Sequence, residues 1–243
     1  MSANASRGGP HDPAVQAAAE GALALIAEGM CVGLGSGRAA SLFIELLGAR
    51  CRAGLSVRGV ASSRASAEIA RAAGLPLLTL DAVDQLDLTV DGADEVAPNL
   101  DLIKGWGGAL VRERIVAAAS KRQVIVVGPE KLVPALGARG KLPVEVLPFG
   151  RALVERRVGA LGMVPAVRVV EGGHQLFTTE NGNFILDCAP AEPMPDGDAA
   201  CRQERALLAI PGVVDTGLFL GTADQVLVGH PDGRVEVLRR AGR

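Results

Sequence analysis

The stretch LTVDGADEVAPNLDLIKGWGGALVRERIVAAA, residues 88–119, decides the reading of this chain. Leu86–Val90 is a short apolar run suited to a buried strand, and Asp91-Gly92 ends it with residues that tolerate a sharp turn. Asp91 and Asp94 then sit three residues apart on a loop beyond a strand's C-terminal end, where open α/β sheets bind ligands. Lys104-Gly105-Trp106-Gly107-Gly108 follows, and its glycines allow a close backbone approach with N–H groups turned toward a ligand. Residues 109–119 are strong helix formers, apolar except at Arg112, Glu113 and Arg114. A carboxylate on so apolar a helix loses water, which raises its pKa toward that of a useful base. A base, further acids, a cation and a loop of backbone donors are the parts that move a proton beside a carbonyl.

Upstream, the spacing predicts a helix over 14–28, a strand over 30–34 and a helix over 39–47. A strand over 55–61, a helix over 64–73 and a strand over 75–80 follow. Gly33-Leu34-Gly35-Ser36-Gly37 sits between strand and helix, an arrangement that offers N–H groups and a positive helix end to a phosphate. It also reads as a tight turn without a ligand, since G-x-G-x-x-G and Gly-Lys-Ser/Thr are both absent. Arg38 favours the phosphate, because a guanidinium matches phosphate oxygens. A buried strand over 124–127 and the loop Gly128–Lys131 come after the Glu113 helix. Strands alternating with helices predict an α/β fold, a mostly parallel sheet with helices on both faces.

Around Gly140–Pro143 the pattern changes. Pieces at 144–147, 151–161, 166–170, 175–178, 183–187, 199–209 and 213–220 read as strand, helix, three strands, helix, strand, with Asn181-Gly182 as a hairpin turn. If 175–187 is one hairpin, this is close to a ferredoxin-like βαββαβ unit, a small α+β domain for packing or subunit contact. Strands at 225–228 and 235–238 return to the first domain. The expected organisation is a flexible tail over 1–13, an α/β catalytic domain over 14–141 and 222–243, and an inserted domain over 142–221.

The composition excludes several classes. A net charge of −2 and 2% aromatic residues supply neither a basic field nor stacking platforms for nucleic acid. Four cysteines without C-x-x-C spacing argue against structural zinc and fit a reducing cytoplasm. No uncharged apolar span reaches membrane length, and the first residues lack a signal peptide's apolar region.

VDGADE, KGWGGALVRE, the upstream GLGSGRAA and the downstream LPVEVLPFG resemble, in order, the signatures of the A-type ribose-5-phosphate isomerase family. TENGNFILDC (179–188) and IPGVVDTGLF (210–219) extend the likeness over roughly residues 14–235. The resemblance implies a Rossmann-like domain with a small inserted one, and a cofactor-free, metal-free aldose–ketose isomerase of the non-oxidative pentose phosphate pathway. That enzyme passes ribose 5-phosphate to ribulose 5-phosphate through a cis-enediolate, as a homodimer or homotetramer.

In that reaction Glu113 is the general base between C2 and C1. Asp91 and Asp94, flanking Gly92 and Ala93, bind sugar hydroxyls and carry protons. Lys104 with the Gly105–Gly107 N–H groups steadies negative charge, and Lys131 falls on a substrate-contacting lysine of the family. Glu95, Asn99 and Asp101 read as ordinary loop polars. The family loop is usually Thr-Gly-Ser-Thr where this chain has Ser36-Gly37-Arg38-Ala39, so Arg38 is expected to supply charge in place of two hydroxyls. Trp106 is either a pocket wall or an interface aromatic, and the sequence does not choose. A sugar-phosphate sensor and a sugar-phosphate deaminase or coenzyme A transferase are the competing readings.

Overall fold

The computed structural model describes residues 12–170, 172–173 and 175–240. From Asp12 the chain forms α1 (Pro13–Leu23), β1 (Cys31–Leu34), α2 (Gly37–Arg52), β2 (Arg58–Ala61), α3 (Arg64–Ala72) and β3 (Leu88–Asp91). A short hairpin, β4 (Glu95–Val96) and β5 (Leu102–Ile103), precedes α4 (Leu110–Ala118) and β6 (Gln123–Val127). Then come β7 (Leu142–Val146), α5 (Arg151–Ala160), β8 (Met163–Val167), β9 (Phe184–Pro190), α6 (Gly197–Leu208) and β10 (Val213–Thr216). β11 (Leu218–Phe219), β12 (Gln225–Gly229) and β13 (Val235–Arg239) complete the described residues.

Six strands in the order β13-β12-β6-β3-β1-β2 form the main sheet, parallel except for β13. Its central strands β1, β3, β6 and β12 are buried on both faces, which is why they read as continuous apolar runs, while the edge strand β13 is half exposed. Val124 and Val126 of β6 pack with Leu42, Phe43 and Leu47 of α2 and Ala18 and Ala22 of α1. Ile125 and Val127 face the other way, toward Leu110 of α4 and Phe219 of β11. The chain leaves this sheet after β6 and re-enters it at β12.

Between those points lies an antiparallel sheet of order β10-β7-β9-β8, the ferredoxin-like βαββαβ arrangement. Alternation divides its two faces. Leu142, Val144 and Val146 of β7, with Leu186 and Cys188 of β9, pack against Val154, Val158 and Leu207 of α5 and α6. Ile185, out of phase with them, joins the cluster of Leu110 and Phe219 beneath the main sheet. Asp187 and Glu145 share the phase of Ile185, so this face carries polar groups toward the α4 side.

Several expected boundaries move. The first helix ends at Leu23, with Gly29 at φ 81° marking the turn into β1. Residues 1–11 of the expected tail lie outside the described residues. Pro13 begins α1, occupying the first turn where a missing N–H costs nothing, and Asp12 caps it, its carboxylate accepting from the Ala14 N–H. The expected strand over 75–80 reduces to one bridge, Gly59 with Leu77, followed by a single 3-10 turn at Leu80–Ala82. Pro76 has no N–H to extend the pairing. The pieces expected at 166–170 and 175–178 are the end of β8 and two isolated bridges, Val169 with Leu176 and Thr178 with Phe184. The strand expected over 213–220 is split at Gly217, where Gly217 donates to Pro143 O and accepts from Lys104 N, and the chain changes sheet.

Candidate active site

β1, β3 and β6 run parallel, so their C-terminal ends open on one edge of the sheet. From β1 the next strand lies on one side and β3 on the other, which makes the gap between β1 and β3 a topological switch point. Gly35 closes this gap by donating to Val90 O. A side chain at Gly35 would collide with the Asp91 carboxylate, so glycine is what lets β3's last residue turn inward. Asp91 Oδ1 accepts from Ser36 N (3.0 Å) and Gly92 N (2.7 Å), binding the two loops together.

Asp91 Oδ2 lies 2.9 Å from Lys104 Nζ, which also donates to Gly92 O at 2.6 Å. The third partner of this ammonium is Glu113 on the first turn of α4, with Oε2 at 3.2 Å. All three side chains are at least 95% buried, with exposures of 2%, 2% and 5% for Asp91, Lys104 and Glu113. Oε2 of Glu113 accepts no hydrogen bond of good geometry among the described residues, leaving that carboxylate under-solvated. Burial pushes the Glu113 pKa up to about 7, against the pull of Lys104 and with help from Asp91. Burial works to lower the Lys104 pKa, but Asp91 and Glu113 overcome it and hold it above the ordinary lysine value. Asp94 is also raised by burial, opposed by the Trp106 N–H that donates to its Oδ2 at 2.9 Å and by Lys104 and Lys131. One permanent cation therefore stands beside a carboxylate that is half ionised near neutrality.

A cavity of about 240 Å³ opens above this group. Asp94, Lys104, Glu113, Gly105 and Gly107 line it, together with Gly92 and Ala93. Ser36, Gly37, Arg38 and Ala39 at the start of α2, and Lys131 after β6, line it as well. Ser36, the residue before α2, makes no side-chain cap to that helix, so its first N–H groups are left for a ligand. Among the described residues no group of three or more histidine, cysteine or carboxylate side chains is arranged to hold a metal ion.

Residues 58–233 match the family described as ribose 5-phosphate isomerase A (phosphoriboisomerase A). The chain is 46% identical over 235 residues to ribose-5-phosphate isomerase A of Bradyrhizobium diazoefficiens, covering 93% of this chain and 94% of that one. The chain belongs to the ribose 5-phosphate isomerase A family. The Thermomicrobium roseum member is likewise 46% identical over 232 residues, covering 94% of each chain. The structure of the Methanocaldococcus jannaschii member superposes with a TM-score of 0.87 at 37% identity, covering 95% of this chain and all of that one. A D-ribose-5-phosphate isomerase structure in complex with phospho-erythronic acid gives 0.88 at 35% identity, covering 93% and 97%.

Within this family member two expected site residues are not among those lining the cavity. Asp91 is not a cavity-lining residue. It lies behind Lys104 with both oxygens committed, and acts on the site by holding Lys104 and the Ser36 loop. Trp106 also stays out of the lining: its indole N–H donates to Lys141 O (3.1 Å), and Lys131, Arg139 and Lys141 gather over its ring at 5.3–5.8 Å. The Ser36 hydroxyl shares a 2.8 Å hydrogen bond with Ser62. Glu95 and Asp101 are buried, not loop polars in solvent. Glu95 accepts from Gly137 N and Arg139 N, and Asp101 from Gly221 N, Asn99 and Arg240. Sequence reasoning missed Glu130 and Gly128, which line the cavity from the loop after β6. Their signal was present, since that loop follows a parallel strand as the Ser36 and Asp94 loops do. Val15, which reaches the cavity from α1, had no signal in the sequence.

Proposed function

We propose that this chain interconverts D-ribose 5-phosphate and D-ribulose 5-phosphate through a cis-enediolate, with Glu113 as the base. The observation that carries the role of Glu113 is its buried carboxylate, 3.2 Å from Lys104 at the floor of the cavity, with a pKa of about 7. Glu113 takes the C2 proton of the open-chain aldose. The C2–H electron pair forms the C1–C2 double bond, and the carbonyl pair moves onto O1. Lys104 and the Gly107 N–H face that growing charge. Asp94, whose pKa burial raises, carries the proton from O2 to O1, and Glu113 then returns its proton to C1 to give the ketose. The phosphate lies between the first turn of α2, Arg38 and Lys131.

We assign residues 14–141 and 222–243 to the catalytic module and 142–221 to the inserted one. The four cysteines are unpaired, and no helix among the described residues is long and apolar enough to cross a membrane. With the family's metabolic chemistry, this supports a cytoplasmic location. Phe149, fully exposed on the inserted module, supports a homodimer or homotetramer.

Conversion of ribose 5-phosphate by the purified protein in EDTA tests the reading. Glu113→Gln lowers kcat by about 10² or more, and Arg38→Ala raises KM much more than it lowers kcat. Undiminished turnover in Glu113→Gln would place the base elsewhere, and an unchanged KM in Arg38→Ala would remove the phosphate contact.

A further inference from the structure

The glycine loop beside the base is held from behind by the inserted module. Arg168, directly after β8, donates from Nη1 to two successive carbonyls of that loop, Gly105 O at 3.1 Å and Trp106 O at 3.0 Å. Its other edge, Nε and Nη2, grips both oxygens of Asp187 on β9, with Nε at 3.0 Å from Oδ2. The guanidinium also stacks 5.6 Å from the Phe177 ring, which in turn fills the space where a side chain at Gly108 would go. Only 9% of the Arg168 side chain is exposed. A planar fork with five donors makes two bonds to the carboxylate and two to the carbonyls at once, and the three donors of an ammonium cannot supply those four.

Fixing those two carbonyls fixes the N–H groups as well. Across a trans peptide the C=O and the following N–H point in opposite directions. With Gly105 O turned toward Arg168, Trp106 N–H points away from it, and it is found on Asp94 Oδ2 at 2.9 Å. With Trp106 O turned toward the same guanidinium, the N–H of Gly107 is also directed away, and Gly107 lines the cavity. Gly105, at φ 100°, supplies the backbone freedom this orientation needs.

We propose that Arg168, clamped by Asp187, is a positioning residue for the isomerisation: it turns the Trp106 N–H onto Asp94 and the Gly107 N–H toward the enediolate oxygen. The inference rests on the isomerase reading above. It gives the inserted module a part in catalysis, because the arginine and its carboxylate both come from that module while the peptides they orient come from the catalytic one.

The test compares wild type, Arg168→Lys and Asp187→Asn for kcat and KM on ribose 5-phosphate and for inhibition by phospho-erythronic acid, whose carboxylate mimics the enediolate. Thermal unfolding of each variant is recorded alongside. Both substitutions are expected to lower kcat about 10- to 100-fold, as misplacement of a charge-stabilising group does, with KM within about threefold. Inhibitor affinity should fall with kcat. Folded variants with kcat within about twofold of wild type would overturn the proposal. So would a fall in kcat that leaves inhibitor affinity unchanged and merely tracks lost thermal stability. Wild type without turnover would overturn the isomerase reading itself, which keeps the two failures apart.

Discussion

Glu113 and Lys104 show how two oppositely charged side chains are held together inside a protein. Had Glu113 been given a full set of hydrogen bonds, its carboxylate would be too weak a base to take a carbon-bound proton. Burial with a single off-axis cation at 3.2 Å leaves it at about 7, close to the optimum for a base working near neutrality. The base form is the deprotonated one, so kcat/KM should rise with pH and level off above about 7. Below that value it should fall by about tenfold per pH unit, the slope for a single titrating group. Steady-state rates from pH 5 to 9 check this, and an acid limb centred near an ordinary glutamate's 4.5 would count against Glu113. Lys104, held above the ordinary lysine value, remains protonated across that range.

At the scale of elements, the site depends on three strand ends and the start of α4. The Arg-Glu-Arg order on α4 gives Glu113 a fixed seat. Arg112 bonds Asn181 and Glu180, while Arg114 bonds Asp215 and the carbonyls of Thr216 and Leu218 and lies over the Phe219 ring at 4.3 Å. The first of these partners is on the hairpin before β9 and the second on β10, so α4 is braced on both sides. On the opposite wall the brace is the Asp91 carboxylate on backbone amides. Gly35 gives way so that Asp91 can accept from the Ser36 and Gly92 amides. Gly35→Ala forces a methyl group against that carboxylate, displacing either the loop or Lys104. Its expected cost is about 1–3 kcal/mol of stability, the range for overpacking, read from urea unfolding. An accompanying loss of activity of about tenfold or more is expected from the shifted Lys104. Full activity in the variant would show that the Asp91 bridge is not needed to hold the lysine.

For the whole molecule, the inserted module turns one face to its own helices and the other to the catalytic sheet. Its outer surface is less well covered. Phe149 is fully exposed beside Leu147, itself 49% exposed, on the segment between β7 and α5. Contiguous apolar side chains in water are costly and mark contact surfaces. If this one joins copies of the chain, Phe149→Arg should lower the mass seen by light scattering at micromolar concentration. An unchanged assembly would exclude this face.

The sequence by itself determined the kinds of element and the loops that converge on the cavity. Apolar runs ending in Gly-Ser-Gly and Asp-Gly-Ala-Asp specify buried strands with loops at their C-terminal ends, because periodicity and turn residues act locally. Glu113 on an apolar helix after a glycine loop was legible for the same reason. Boundaries failed where one residue outweighed a pattern, as Pro76 does at the strand expected over 75–80 and Gly217 at the one expected over 213–220. Only the tertiary structure decided that Asp91 pairs with Lys104, that the Trp106 indole bonds Lys141 O, and that Arg168 reaches the glycine loop. Those outcomes depend on segments far apart in the chain meeting at a chosen distance: Arg168 acts on a carbonyl 63 residues away. Local spacing encodes which face of an element is buried, but not which remote group will share that burial, and it is the shared burial that sets the pKa of Glu113.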